Sequence, residues 1–405
     1  MTTFADLGVP EKLVANLAAR GIVEPFPIQA ASIPDALTGR DILGRAPTGS
    51  GKTLAFGLPL MARVAQAEVK RPRALVLAPT RELAEQIAQE LGTLGESGGR
   101  WVFAIYGGVG YEFQRRQLNR GVDILVATPG RLTDLIEQRW VSLADVDIVV
   151  VDEADRMADM GFLPQVRTLL DQTNPDRQTM LFSATLDGDV GELIRRYQND
   201  PARHDVVEAE DHGDASHYFW RVAHADRVET TARIVDSSMP SIVFTRTRHG
   251  ADRVAEQLDR MGVSAAAIHG GRSQGQRTRA LAAFASGRVK ALVATDVAAR
   301  GIHVDGVASV VHFDLPADPK DYLHRSGRTA RAGSSGVVVS LVINDQVTAA
   351  RHIQRSVGLP ERVQDPGEDW LTGETGGRVG TIAVGKAVER TAARGRRRNP
   401  ARGRR

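Results

Sequence analysis

Ile148-Val-Val-Val-Asp-Glu-Ala-Asp155 passes from four β-branched residues straight into three carboxylates. A short β-branched run without polar alternation suits a strand covered on both faces. Carboxylates at the end of such a strand stand where open α/β sheets hold their ligands. The pattern extends outward from this stretch. Apolar runs at 41–44, 74–78, 101–106, 124–127, 148–151 and 180–183 form one series, and runs at 241–244, 264–269, 291–295, 309–313 and 337–342 form a second. Amphipathic stretches such as Arg81–Leu91 and Ala251–Met261 lie between them as crossover helices. The expected fold class is α/β, with two tandem parallel-sheet domains.

The first run leads into Ala46-Pro-Thr-Gly-Ser-Gly-Lys-Thr53. Glycines let the backbone curl so that N–H groups face phosphate oxygens, and a helix N-terminus adds its positive end. Ala46, Thr48, Gly49, Ser50, Gly51, Lys52 and Thr53 form this cradle, with Ala46 where the general pattern has glycine. Lys52 places a charge near the terminal phosphates, and Thr53 offers a hydroxyl to Mg²⁺. Downstream, Asp152 can hold the same Mg²⁺ through water, and Glu153 can take a proton from the attacking water. A chain of phosphates and Mg²⁺ are therefore the expected ligands.

At 405 residues the chain is too long for one ordinary core. It contains no cysteine, which excludes disulfides, thiolate metal sites and cysteine nucleophiles. The N-terminal residues lack a signal-peptide pattern, and no apolar run is long enough to cross a bilayer. A cytoplasmic location and no membrane partner are expected. The net charge of +3 conceals an asymmetry, because residues 378–405 carry ten basic residues and one acidic residue. Such a segment suits a polyanion. The expected organisation is an N-terminal region at 1–30, domains at 31–207 and 217–362, an acidic linker at 208–216, and an Arg/Gly-rich tail at 363–405. The tail has too few large apolar residues to fold alone.

Further motifs occur in a fixed order: Pro79-Thr-Arg-Glu-Leu-Ala84, Gly107-Gly108, Thr128-Pro-Gly-Arg131, Ser183-Ala-Thr185, His269-Gly-Gly-Arg-Ser-Gln-Gly-Gln-Arg277, Ala294-Thr-Asp-Val-Ala-Ala-Arg-Gly301 and His324-Arg-Ser-Gly-Arg-Thr-Ala-Arg331. With the phosphate loop and the Asp152–Asp155 tetrad, the chain resembles the DEAD-box ATP-dependent RNA helicases of superfamily 2, from about Phe4 to about Gly336. The tail gives it a likeness to their bacterial RhlE-type branch.

The resemblance implies two RecA-like domains, with ATP as the nucleotide. It implies that Pro25-Phe-Pro-Ile-Gln29 is the family's Q motif, with Gln29 reading adenine and Phe4 as the motif's isolated upstream aromatic, a nucleotide-binding residue, where the alternative is simple packing of the N-terminal arm. Arg328 and Arg331 match arginine fingers that spread over the transferred phosphoryl group. Ser183, Thr185, Asp155 and His324 match elements that couple the two ligands. Arg81, Gly108, Thr128, Arg131, Gln274, Arg277 and Thr295 match residues that hold the RNA backbone with little sequence specificity. Two positions depart from the pattern. Ile22 stands where the family often has an aromatic residue that stacks on adenine, and His303 where it usually has an aspartate for the ribose.

The implied activity is RNA-dependent ATP hydrolysis coupled to local, non-processive opening of short duplexes and remodelling of ribonucleoproteins. Ribosomal precursors or the RNA-decay machinery are the implied partners. The alternatives are an ATP-gated RNA clamp with little unwinding and a DNA translocase.

Overall fold

The computed structural model describes residues 2–46, 50–186, 188–206, 215–299, 306–330, 335–366 and 380–382. The chain divides into two units, Met1–Glu208 and Ala209–Arg405.

The first unit holds strands β1 (Ile42–Arg45), β2 (Ala74–Leu77), β3 (Val102–Ile105), β4 (Ile124–Ala127), β5 (Ile148–Asp152), β6 (Gln178–Ser183) and β7 (Ala202–Asp205). Its helices are α1 (Glu11–Ala19), α2 (Pro27–Thr38), α3 (Lys52–Arg63), α4 (Arg81–Gly98), α5 (Tyr111–Leu118), α6 (Pro129–Glu137), α7 (Ala154–Asp159), α8 (Leu163–Leu170) and α9 (Asp189–Tyr197). The sheet order is β3-β4-β2-β5-β6-β1-β7, parallel throughout. Successive side chains of a strand point to opposite faces. Accordingly Ile148 and Val150 enter the core shared with α3 and α4, while Val149 and Val151 enter the core under α6 and α8. Each apolar run read from the sequence overlaps a strand. The edge strand β7 escaped that reading because Ala-Arg-His-Asp carries no apolar run.

The second unit holds β8 (Ala215–Arg221), β9 (Ser241–Phe244), β10 (Ala265–Ile268), β11 (Ala291–Ala294), β12 (Ser309–His312), β13 (Gly336–Val342) and β14 (Gly380–Ile382). Its helices are α10 (Arg227–Ser237), α11 (Arg248–Arg260), α12 (Gln274–Ala285), α13 (Asp296–Ala299), α14 (Pro319–Ser326) and α15 (Val347–Val357). The order is β10-β11-β9-β12-β13-β8-β14. Numbered within each unit, the first six strands take the same path in both sheets. Only β14 runs antiparallel to its neighbour.

Two sequence boundaries need correction. Ala215 and Ser216, read as the end of the linker, open β8 and pair with Gly336 and Val337. The segment from 363 onward, read as unstructured tail, begins inside the fold. The Gln364 N–H donates to the Phe219 carbonyl at 3.0 Å, and β14 pairs with Ala215–His217. Backbone pairing, which needs no apolar side chain, holds both pieces. Among the described residues no helix is long and apolar enough to cross a membrane.

Candidate functional site

β1 delivers the chain to the glycine-rich loop and α3 carries it away. Gly51 caps α3 with φ 82°, a conformation that L side chains rarely adopt. A Cβ at Gly51 would stand 2.4 Å from Gln29 Nε2 and 2.7 Å from the Phe26 ring. Gln29 is buried, and its amide is engaged at both ends. Its Oε1 accepts from the Phe26 N–H, and its Nε2 donates to the Gly51 carbonyl, each at 2.9 Å. One N–H and one lone pair of that amide are left for a ligand. Gln29 therefore braces the phosphate loop from α2, a role its sequence motif did not reveal. Lys52 Nζ donates to the Ala46 carbonyl at 2.9 Å, which folds the ammonium back over the loop.

β5 ends at Asp152, which is 3% exposed. Burial pushes its carboxyl well above the usual carboxylate range; Lys52 opposes the rise and Glu153 adds to it. A buried carboxylate whose charge is under-compensated fits a divalent cation. Asp152 and Thr53 would hold Mg²⁺ here. Glu153 has φ 52° and ψ 51° at the entry to α7. Its Oε2 accepts from Arg156 Nη1 at 2.6 Å, a pair readable afterwards from the i,i+3 spacing. β6 ends at Ser183, whose Oγ accepts from the Asp155 N–H at 3.2 Å and donates to the Thr185 carbonyl at 2.7 Å. The Thr185 N–H returns to Asp155 Oδ2 at 3.2 Å, closing the network.

A second group gathers at the ends of β2, β3 and β4. The Arg81 guanidinium lies over Gly107-Gly108, so a Cβ at Gly108 (φ 90°) would stand 2.3 Å from its Nη1. Thr128 starts α6, and its N–H donates to the Ile105 carbonyl at 2.9 Å. Arg131 Nη1 donates to the Val109 carbonyl at 2.9 Å and to Gln114 Oε1 at 2.8 Å. The sheet order thus splits the carboxyl edge into two contiguous halves: β5, β6 and β1 carry the loop and the acids, and β3, β4 and β2 carry this second group.

In the second unit Gln274 and Arg277 lie on α12, largely buried, and Thr295 follows β11 and accepts from the N–H groups of Ala298 and Ala299. α14 presents His324, and Arg328 lies just beyond it with its Nε donating to the His324 carbonyl at 3.4 Å. Arg325 shares their spacing but is 4% exposed. It donates to Asp296 through Nε and Nη2, at 2.6 and 2.8 Å, and to the Asp314 carbonyl at 2.7 Å.

Phe4 requires a correction as a ligand residue. It is 2% exposed within the core of the first unit, packed with Leu7, Val9 and Leu13. The N-terminal arm folds it inward, so no ring face is offered to a nucleotide. Thr48, Gly49, His303 and Arg331 lie outside the described residues.

Residues 26–193 match the family model of the DEAD/DEAH box helicase, and residues 226–333 match the helicase conserved C-terminal domain. The chain is 39% identical over 370 residues to the DEAD-box ATP-dependent RNA helicase CshA of Geobacillus kaustophilus, covering 90% of this chain and 79% of that protein. It is 41% identical to the DEAD-box ATP-dependent RNA helicase 53 of Oryza sativa, covering 87% of this chain and 60% of that one. Among solved structures, it is similar to S. cerevisiae Dbp5 bound to RNA and ADP BeF3, with a TM-score of 0.78 and 28% identity over 96% of this chain and all of that one. Two tandem RecA-like domains, one with a phosphate loop and buried acids, define the class as a nucleotide-driven helicase. The chain belongs to the DEAD-box family of ATP-dependent RNA helicases.

Proposed function

We propose that the protein hydrolyses ATP in response to RNA and uses the cycle to open short duplexes locally and remodel ribonucleoproteins, without processive travel. The division of one sheet edge into a nucleotide half and an RNA half carries this reading. On the nucleotide half, loop N–H groups and Lys52 hold the phosphates of ATP. Thr53, and Asp152 through water, would hold Mg²⁺, which would supply positive charge to neutralise them. Glu153 accepts the proton of the attacking water while Arg156 orients its carboxylate. Asp155, Ser183 and Thr185 tie the acids of β5 to β6, so a change at the nucleotide is felt along the sheet. On the other half, Arg81, Gly108, Thr128 and Arg131 offer guanidinium, amide and hydroxyl groups to phosphates and ribose, which reads shape and not sequence. Gln274, Arg277 and Thr295 extend that set in the second unit. Arg328 and Arg331 are assigned to hydrolysis, and His324 to coupling, through their motif. The Arg/Gly-rich tail supports a place beside the RhlE-type branch; the proposed setting is the cytoplasm, with ribosomal precursors or the RNA-decay machinery as partners.

ATP turnover and strand release, measured side by side with RNA and DNA duplexes, test this. RNA-stimulated turnover with release of a short RNA strand is expected. Turnover without release would show a clamp, and equal stimulation by DNA would show a translocase.

A further inference from the structure

α5 is tied to the end of β3, the edge strand of the first sheet, by Gln114 Nε2 donating to the Tyr106 carbonyl at 2.9 Å. Three rings stand exposed here: Trp101 at 40%, Tyr111 at 38% and Phe113 at 46%. Each is arranged against a second ring or a guanidinium. Arg120 Cζ lies 4.4 Å from the Trp101 centroid, and Arg131 Cζ lies 4.1 Å from that of Tyr111. Trp140 meets Tyr111 edge-on at 6.0 Å, and Phe103 supports Phe113 at 6.0 Å. The Tyr111 hydroxyl donates to Asp134 at 3.1 Å. These contacts hold the rings in place, so a ligand stacking on them would order little further.

The charge around the rings favours a polyanion over an apolar partner. Between Tyr111 and Arg120 there are three arginines against the single acid Glu112. Arg116 has no ion-pair partner among the described residues. Rings interleaved with arginines are the composition on which unpaired bases stack. The patch is also continuous with the residues assigned to the RNA backbone, because Arg131 belongs to both.

We propose that single-stranded RNA leaving Gly108 and Arg131 continues across α5, with its unpaired bases stacked on Tyr111 and Phe113. This rests on the RNA-binding role proposed for the sheet edge and adds a base-stacking subsite to it. Stacking is indifferent to base identity but requires a base.

The test uses the full chain with a non-hydrolysable ATP analogue and a labelled single-stranded RNA of about six nucleotides. The same RNA is then extended at its 5′ or 3′ end by adenosines or by abasic nucleotides. The unmodified protein is expected to bind one adenosine-extended RNA about fivefold or more tighter than its abasic counterpart. The Phe113→Ala variant, which leaves Arg131 and its contact with Tyr111 in place, loses most of that gain yet binds the short RNA as before. Tyr111→Phe/Phe113→Tyr, which keeps both rings, retains it. Equal affinity of the unmodified protein for adenosine and abasic extensions overturns the subsite. So does an undiminished gain in the alanine variant, which would leave the patch to a protein partner. Failure of the unmodified protein to bind even the short RNA would overturn the RNA-binding role itself.

Discussion

Glu153 sits in the left-handed region of backbone space, where non-glycine residues are uncommon and strained. The strain is held by the buried end of β5 on one side and the Arg156 pair on the other. The Arg156 pair therefore orients its carboxylate, which suits the general-base role proposed for it. Glu153→Gln keeps the size and loses the basicity. RNA-stimulated ATP turnover is expected to fall about a hundredfold or more, while binding of a fluorescent ATP analogue stays intact; lost nucleotide binding would assign Glu153 to the grip instead. At this scale the sequence is legible where chemistry demands a residue type at fixed spacing, as with Lys52 and Asp152. It is not legible where burial decides. Phe4 packs inward and Gln29 spends half its amide on backbone, and both facts are set by tertiary contacts of the N-terminal arm and α2 that leave no mark on the sequence.

α14 shows how an element sorts residues that look alike. Arg325, Arg328 and Arg331 repeat every three positions, so as charges they are equivalent. The helix turns Arg325 into the unit against Asp296 and Phe244, and leaves Arg328 half-buried beyond its end. Arg325 is buried and Asp296 partly so, and removing the guanidinium strands that carboxylate and empties a packed site. Arg325→Met is expected to destabilise the second unit by about 3 kcal/mol or more, measured by urea denaturation. Arg328→Ala should change stability by about 0.5 kcal/mol or less yet depress ATP turnover. Equal unfolding midpoints for the two variants would contradict this sorting. Strand positions were legible from β-branched runs because buried parallel strands need them. β7, β8 and β14 were not, since edge strands and polar-faced strands are held by backbone pairing that leaves little mark on composition.

For the whole molecule, the two units share one strand path but differ in the segment that leaves their first strand. The basic charge is concentrated late in the sequence: after Ile382 there are nine basic residues and one acidic residue. A stop codon after Ile382 removes them and keeps β14. RNA affinity is expected to drop, and the slope of log affinity against log salt to become shallower; an unchanged slope would exclude the tail from RNA tethering. The repeated path has an arithmetic consequence. β1 runs into a loop with Gly51 and Lys52, whereas β8, its counterpart, runs into Val222-Ala-His-Ala-Asp226, with neither glycine nor lysine. A doubled architecture thus carries a single nucleotide seat, and a calorimetric titration with ATP analogue should saturate at one equivalent per chain.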